Sequence, residues 1–209
     1  MSEKKARRVS KPVARTPVQE RSAARMQKVV AVAEQLLEQL GPESTSIPAI
    51  AAESAVPRAA IYPFFPDKYA LFSHIARLHM ERLVQTLQAT EPDPASAADW
   101  RGQVGALVAA AVDYYNGNPV ASILLLRGAL ADGDVEAHRA KDAAISQLLR
   151  ERVDPEARLP QSPDVAVLAV DIAFACMRHG YAVEGVISPV YAQEASNAAC
   201  AYLASWLPR

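Results

Sequence analysis

The chain has 209 residues, of which 51% are hydrophobic, and its 22 Lys and Arg nearly balance its 23 Asp and Glu. This apolar content suffices for a well-buried core in one or two domains. No apolar run approaches the roughly 20 residues that span a bilayer, and the N-terminus lacks a signal-peptide core. Only 6% of the residues are aromatic. The apolar residues are mainly Ala, Leu and Val, so the composition predicts a cytoplasmic protein built from helices.

Charge is unevenly distributed along the chain. Residues 1–82 contain 13 Lys and Arg against 8 Asp and Glu, a net charge of +5, and residues 83–209 contain 9 against 15, a net charge of −6. A basic N-terminal part suggests that this end meets a polyanion. Residues 1–18 combine basic residues with few large apolar ones, which predicts a disordered arm. Such an arm either solubilises the chain or follows the phosphates or minor groove of DNA, and the composition leaves both roles open.

The first predicted helix extends from about residue 19 to Leu40. Apolar residues recur there at three- and four-residue steps, and Gly41 supplies a stop. The hydroxyls of Ser44, Thr45 and Ser46 are suited to cap a short second helix.

Two further helices follow in the N-terminal region. After a turn at Ala55-Val56, Pro57 suits the first position of a third helix, where its missing N–H costs nothing. Asp67 is placed to cap a fourth helix that runs from Lys68 to about residue 89. The second and third helices, separated by a tight turn, predict a helix-turn-helix at about 46–65.

The remainder of the chain keeps a helical pattern. Helices are predicted at about 97–116, 119–131, 135–152, 163–187 and 189–207. Ser162-Pro163 and Ser188-Pro189 each pair an N-cap with a proline at the first helical position. Alanines on the last two helices permit close helix packing, which favours half of a four-helix dimer interface. The alternative is that these helices close the core of the monomer.

Two segments carry a family resemblance. Residues 45–51 read TSIPAIA, and residues 55–71 read AVPRAAIYPFFPDKYAL. Together they resemble the tetracycline-repressor (TetR) family, whose pattern is T-[TS]-x-x-x-I-A followed by A-G-V-S-x-G-T-[LI]-Y-x-[HY]-F-x-[SD]-K-x-x-L. The resemblance covers residues 22–82, and the Ile-Tyr, Phe, Asp-Lys and Leu positions are its most specific part.

The resemblance implies an all-α fold of about nine helices. Residues 19–82 would form a three-helix DNA-binding domain, and residues 83–209 would form a helical ligand-binding and dimerisation domain. The implied function is a ligand-responsive repressor that binds double-stranded DNA as a homodimer and releases its operator when a small molecule binds.

The resemblance also implies which residues contact DNA. Tyr62 matches a tyrosine that reaches the DNA backbone, and Lys68 matches a lysine that contacts phosphate. Arg58, near the start of the third helix, is the candidate for reading a guanine edge. The predicted DNA-binding residues are Thr45, Ser46, Arg58, Ala59, Ala60, Tyr62, Phe64 and Lys68.

Several positions depart from the family pattern. Ala55 stands where the family has glycine, and a positive φ there would cost about 1 kcal/mol. Ala59 and Ala60 replace a glycine and a threonine, which removes a close backbone approach and a hydroxyl. Pro63 within a helix would cost about 3 kcal/mol. We therefore predict that the third helix kinks or ends near Tyr62.

A ligand pocket is expected among the C-terminal helices. The candidate lining residues are His79, Met80, Trp100, Tyr114, Tyr115, Leu126, Phe174 and Met177. The sequence does not indicate which effector would occupy the pocket.

Enzymatic and metal-dependent functions find little support in the sequence. It contains no Ser/His/Asp order, no phosphate-cradling glycine loop and no metal-ligand spacing. Cys176 and Cys200 form no C-x-x-C pattern. The histidines are scattered at His74, His79, His138 and His179. We therefore predict no catalytic site, no cofactor and no metal.

One alternative function stays open. Pro63 and the alanines of the third helix leave few hydrogen-bonding groups on the reading surface. The chain could thus be a helical dimer of the same fold that has lost sequence-specific DNA binding and acts through protein partners.

Overall fold

The computed structural model describes residues 17–91, 99–127, 135–154, 156 and 158–207, with only the backbone at 17–20 and 135–141. Within these ranges nine α-helices and no strand are found, so the all-α prediction is confirmed. The helices are α1 (Pro17–Ser44), α2 (Ile47–Ser54), α3 (Arg58–Ile61), α4 (Lys68–Ala89), α5 (Trp100–Gly117), α6 (Pro119–Ala121), α7 (Val135–Val153), α8 (Val165–Glu184) and α9 (Pro189–Leu203). Residues 1–16 of the predicted arm, the predicted helical residues 97–98 and 128–131, and the side chain of His138 lie outside the described residues.

The first helix ends where the sequence predicts. Gly41 has φ 75° and ψ 171°, which interrupts α1 after Leu40. The residues after this kink form a turn that leads into α2, and the Thr45 backbone N–H donates to the Gly41 carbonyl over 3.2 Å. Glycine adopts this left-handed region without a Cβ penalty, so Gly41 sets the direction in which the chain enters the helix-turn-helix.

The N-terminal helices close around a compact apolar core. Ile50 of α2, Ile61 of α3 and Leu71 and Ile75 of α4 are all fully buried, and Leu37 of α1 packs with them. Burial of such side chains contributes about 1.5–3 kcal/mol each. Because every helix contributes to the same cluster, the angle between α2 and α3 is fixed by packing.

The C-terminal helices form a second layer, in which α8 and α9 make a tightly packed hairpin. Gly180 permits this approach, because a Cβ at this position would lie only 2.5 Å from Cγ of Tyr191. Gly185, with φ 75°, caps α8 and ends it at Glu184, three residues before the predicted end. α1 also packs on α6 and on the π-helical turn that continues it at Ser122–Leu126, so the two layers are in contact.

The start of α8 differs from the prediction. Ser162-Pro163 is a cis peptide bond before the helix, and the N-cap is Asp164, whose carboxylate accepts from the backbone N–H groups of Ala166 and Val167, both over 3.1 Å. Ser188-Pro189 behaves as predicted, with Ser188 as the N-cap and Pro189 in the first turn of α9. A local Ser-Pro pattern does not distinguish these two cases, because the deciding carboxylate lies one residue further along.

By length and composition alone, α8 could cross a membrane, which the sequence analysis did not anticipate. The mean hydropathy of its most apolar 18-residue stretch is 1.3, and a third of that stretch is buried inside the protein. Ala169, Ala173 and Met177 on this helix face the core. A core helix of a soluble protein has the same composition, so this feature is weak evidence for a membrane span.

Candidate DNA interface and internal cavity

The turn between α2 and α3 adopts the conformation that glycine favours. Ala55 has φ 53° and ψ 27°, the left-handed helical region, and its backbone N–H lies 3.4 Å from the Ala52 carbonyl. The fully buried hydroxyl of Ser54 accepts from the Val56 N–H over 3.3 Å. Ala55 thus adopts the positive φ whose cost was considered from the sequence, whereas the supporting role of Ser54 had no signal in the local pattern.

The third helix is a single turn. It spans Arg58–Ile61, and Pro57 is its N-cap instead of its first helical residue. The N–H groups of Phe64 and Phe65 both donate to the Ile61 carbonyl, over 2.9 and 3.0 Å, so the chain turns after Tyr62. The predicted end of the helix near Tyr62 is confirmed, and Pro63 lies in the turn, where it breaks no helical hydrogen bond.

The segment around α3 has one buried and one exposed side. Ile61 and Phe65 face the core, and the ring of Phe65 stacks at 5.4 Å from that of His74. Tyr62 and Phe64 are 44% and 53% exposed, so both rings are open to solvent.

Three other predicted contact residues also lie along this segment. Arg58 and Ala59 share the exposed side, while Ala60 is half-buried against the core. Arg58 has no ion-pair partner within the part of the chain that is described. The exposed side therefore presents one cation and two aromatic rings.

The start of α2 places its two hydroxyls differently. Ser46 is the N-cap, and its hydroxyl accepts from the Ala49 N–H over 3.4 Å. Thr45 is fully buried, and its hydroxyl donates to the Gly41 carbonyl over 2.8 Å. The side chain of Thr45 thus holds the turn after α1, and its burial argues against the direct DNA contact expected of it.

Lys68 has protein partners for its ammonium group. Its Nζ donates to the carbonyls of Pro42 and Glu43, over 3.0 and 3.3 Å, and lies 5.4 Å from the centre of the Tyr69 ring. Asp67 caps α4 as predicted, accepting from the Ala70 N–H over 2.8 Å. Lys68 therefore ties the end of α1 to the start of α4, a role that local sequence could not reveal because the partners lie 25 and 26 residues away.

The positive charge of the N-terminal region is concentrated in its first residues. Residues 17–82 contain 7 Lys and Arg and 7 Asp and Glu, whereas residues 1–16 contain 6 Lys and Arg and one acid. The folded helices are thus neutral overall, and the net charge of +5 belongs to residues 1–16.

An internal cavity lies in the C-terminal layer between α4, α5, α7, α8 and α9. About 60 Å³ of this cavity is open to the centre of a water molecule. The lining residues are Leu83, Leu87, Val104, Leu107, Val108, Ala111, Tyr115, Ile145, Leu149, Ala169, Val170, Ala173, Phe174, Met177 and Ala199. This open volume exceeds the roughly 10–15 Å³ that a single water molecule needs, so the cavity has room for a small molecule.

Three of the eight residues predicted for a pocket line this cavity, namely Tyr115, Phe174 and Met177. The other five, which are not among its described lining residues, are His79, Met80, Trp100, Tyr114 and Leu126. Met80 and Leu126 are ordinary core residues, and the Trp100 ring stacks 4.2 Å from the guanidinium carbon of Arg101. Helical periodicity identifies inward-facing residues but cannot tell a filled core from a void.

His79 and Tyr114 instead join the two layers. The Tyr114 hydroxyl donates to the His79 carbonyl over 3.1 Å and lies 2.9 Å from His79 Nδ1. On the other side of the ring, His79 Nε2 lies 3.3 Å from Oε1 of Glu34, which is 3.7 Å from Arg82. These four side chains, the interlayer cluster, connect α1, α4 and α5.

The electrostatics of the interlayer cluster follow from burial and contact. The approach of His79 Nε2 to its carboxylate lowers the pKa of Glu34 from its ordinary value, burial opposes this, and the charges of His79 and Arg82 reinforce the lowering. Burial raises the pKa of Tyr114 to about 12, so its phenol is neutral at physiological pH. Glu34 was missed by the sequence analysis, because its partner His79 is 45 residues away.

A short helix with an exposed cationic and aromatic side, packed on a core shared by α1, α2, α3 and α4, is a helix-turn-helix arrangement within an all-helical protein. Residues 29–75 match the sequence model described as "Bacterial regulatory proteins, tetR family". Among characterised proteins with curated descriptions, none matches the sequence significantly.

Solved structures with the same fold support this class. A TetR-family transcriptional regulator from Streptomyces coelicolor is 22% identical, with a TM-score of 0.67 over 90% of this chain and 99% of that chain. A TetR transcriptional regulator from Rhodococcus sp. RHA1 is 17% identical, with a TM-score of 0.65 over 88% and 97%. The structure described as an SmeT–triclosan complex is 16% identical, with a TM-score of 0.57 over 88% and 92%.

The chain therefore contains a segment similar to the tetR family over residues 29–75, and the whole molecule has the fold of TetR-family transcriptional regulators.

Proposed function

We propose that this protein is a cytoplasmic repressor that binds operator DNA as a homodimer and releases it when a small molecule enters the cavity. The observation that carries the proposal is the exposed side of the α3 segment, where Arg58, Tyr62 and Phe64 project while Ile61 and Phe65 are buried. Two exposed aromatic rings beside a cation form a surface suited to contacts with DNA bases and backbone.

The proposed contacts divide into two kinds. Arg58 reads a base edge in the major groove, and Phe64 touches an apolar group such as a thymine methyl. Tyr62, Ser46 and Lys68 contact the backbone, with the third N–H of the Lys68 ammonium available after its two carbonyl bonds. Because Ala59 and Ala60 add no hydrogen bonds, part of the specificity comes from DNA shape.

The α8–α9 hairpin supports the proposed homodimer. Val183, Val186 and Val190 around its tip are 61%, 47% and 69% exposed, and Leu168 on α8 is 38% exposed. An apolar helical face of this kind is buried when two copies form a four-helix bundle. The C-terminal pair of helices is therefore the proposed dimer interface.

The cavity supports the proposed response to a small molecule. It lies in the same helical layer as the proposed interface, since α8 and α9 contribute to both. The SmeT–triclosan complex is a precedent for a small molecule held by a protein of this fold. A ligand regulates DNA binding if its affinity differs between the DNA-bound and the released arrangement.

A salt titration tests the DNA-binding part of the proposal. Binding to DNA from upstream of the chain's own gene is compared with binding to random DNA of the same length, from about 50 to 200 mM salt. We expect the affinity for both DNAs to fall steeply with salt. If the upstream DNA contains a specific site, its affinity should exceed that of random DNA by at least about 1000-fold. Equal binding to both DNAs at every salt concentration would contradict the proposal.

The same titration addresses the alternative of a helical dimer that acts through protein partners. Pro63 and the short α3 favour this alternative, because a single helical turn presents fewer groups to a groove. This alternative predicts a dimer that binds upstream DNA no more tightly than random DNA. Arg58→Ala separates the two functions further, since it lowers the specific affinity only if Arg58 reads a base.

A further inference from the structure

We infer that the cavity accepts an uncharged, largely hydrocarbon molecule and rejects ionised ones. The inference deepens the proposed function, on which it rests for the regulatory consequence of binding, and it adds the chemical class of the effector.

The cavity wall is made almost entirely of hydrocarbon. Aliphatic side chains such as Leu83, Val108 and Leu149 come from three different helices, and Phe174 and Met177 supply an aromatic ring and a thioether. Among the described lining residues Tyr115 alone carries a polar side-chain group, and none is charged. An ion that entered would lose its hydration without gaining a partner. The free-energy cost of this desolvation is far larger than the stabilisation from burying the apolar part of the ion.

The single polar group strengthens this discrimination. Tyr115 is fully buried, and burial raises the pKa of its phenol, with Tyr114 and Asp142 acting in the same direction. The phenol therefore stays neutral and cannot pair with a cation as phenolate.

The dimensions set the size of the ligand. About 60 Å³ is open to the centre of a water molecule, which limits the ligand to a small molecule, such as one ring with a short alkyl chain. Small side chains leave the cavity open at three lining positions, where larger ones would fill it: Ala111, Ala169 and Ala173. The small residues thus create the void, and the larger ones determine its apolar character.

A matched series of compounds tests the inference on the full-length protein without DNA. 3-Phenylpropan-1-ol is uncharged, and 3-phenylpropanoate and 3-phenylpropylammonium have nearly the same shape with one negative or positive charge. Binding is measured by calorimetry and by the rise in Tm, which follows ligand concentration by mass action. We expect the alcohol to bind more than about 100-fold more tightly than either ion.

Variants of α5 show whether binding occurs in the cavity. Ala111 lines it, whereas Ala109 on the same helix is exposed. Ala111→Leu should abolish binding of the alcohol, and Ala109→Leu should leave it unchanged. Because Ala111→Leu could disturb folding, Ala173→Leu on α8 fills the cavity from the opposite wall, and cooperative unfolding of each variant is checked.

The outcomes separate the inference from the proposed function. Equal or tighter binding of either ion overturns the inference, as does binding of the alcohol that survives both cavity-filling substitutions. Release of promoter DNA is then measured separately with the same three compounds. Selective binding of the alcohol with no effect on DNA supports the ligand class and counts against ligand-responsive repression.

Discussion

Ala55 occupies a backbone conformation that costs an L-residue free energy. Its φ of 53° lies in the left-handed region, where Cβ approaches the following carbonyl. The turn keeps this conformation because Val56 and Ile61 after it are buried and Ser54 holds the Val56 N–H. Packing on both sides of the turn thus compensates for a residue that the turn itself disfavours.

Replacing Ala55 with glycine should stabilise the protein. Ala55→Gly removes the steric cost of about 1 kcal/mol, part of which is offset by the greater freedom of glycine in the unfolded chain. We expect the free energy of unfolding in urea to rise by up to about 0.5–1 kcal/mol. The control is Ala52→Gly, at an exposed helical position three residues earlier, which should instead lower it by about 1 kcal/mol. A loss of stability for both variants would argue against strain at Ala55.

Lys68 should contribute to stability as well as to DNA binding. Lys68→Met keeps much of the side-chain volume but removes the hydrogen bonds to the Pro42 and Glu43 carbonyls. We expect a loss of about 1–2 kcal/mol in the free energy of unfolding. Lys28→Met, at an exposed position on α1, is the matched control and should change it by less than about 0.5 kcal/mol. If both variants unfold at the same urea concentration, the bonds of Lys68 do not stabilise the domain.

At the scale of elements, the interlayer cluster is the polar connection between the DNA-binding helices and the cavity layer. Glu34 lies on α1, His79 and Arg82 on α4, and Tyr114 on α5. Tyr114 is adjacent to Tyr115, which lines the cavity, and their rings meet edge to face with centres 6.0 Å apart. The contacts from the cavity wall to α1 therefore run through Tyr114, His79 and Glu34.

Stability should fall in acid partly because of Glu34. Its pKa is lower in the folded protein than in the unfolded chain, so the unfolded chain takes up a proton first as the pH falls. The stabilisation from Glu34 is complete above about pH 4.5 and is lost as the pH falls through the lowered folded pKa. Glu34→Gln should therefore be less stable than the unmodified protein at pH 7, and the difference should shrink below about pH 4.5.

Urea unfolding at several pH values measures this effect. Glu38→Gln, at an exposed position on the same helix, is the control and should show no comparable convergence. A difference between Glu34→Gln and the unmodified protein that stays constant from pH 7 to pH 3 would show that the contacts of Glu34 do not depend on its charge.

At the scale of the whole molecule, local patterns predicted the helices well and the sites less well. Gly41, Asp67 and Pro63 act through neighbouring backbone, so the ends of α1, α3 and the start of α4 were readable from sequence. Lys68 and Glu34 act through partners far along the chain, which no local pattern contains.

The cavity illustrates the same limit. Tyr115 and Phe174 face inward by periodicity, and so do Met80 and Leu126, but only the first two border a void. Whether inward-facing side chains meet or leave space depends on how five helices are placed, and small residues such as Ala111 decide it.

Long-range attraction to DNA should depend on the first sixteen residues. Residues 17–82 are neutral overall, so residues 1–16 supply the net charge of +5 in the DNA-binding region. Each phosphate neutralised by a cation contributes about 0.9 to the slope of log K against log salt. Deleting residues 1–16 should therefore reduce that slope by up to about 5 and weaken binding to all DNA sequences at low salt.

A variant with residues 2–16 shuffled keeps the charge and should keep the slope if the arm follows phosphates. An unchanged slope after the deletion would assign the arm to solubility alone. If the shuffled variant retains the slope but loses the preference for the operator, the native arm also reads the minor groove.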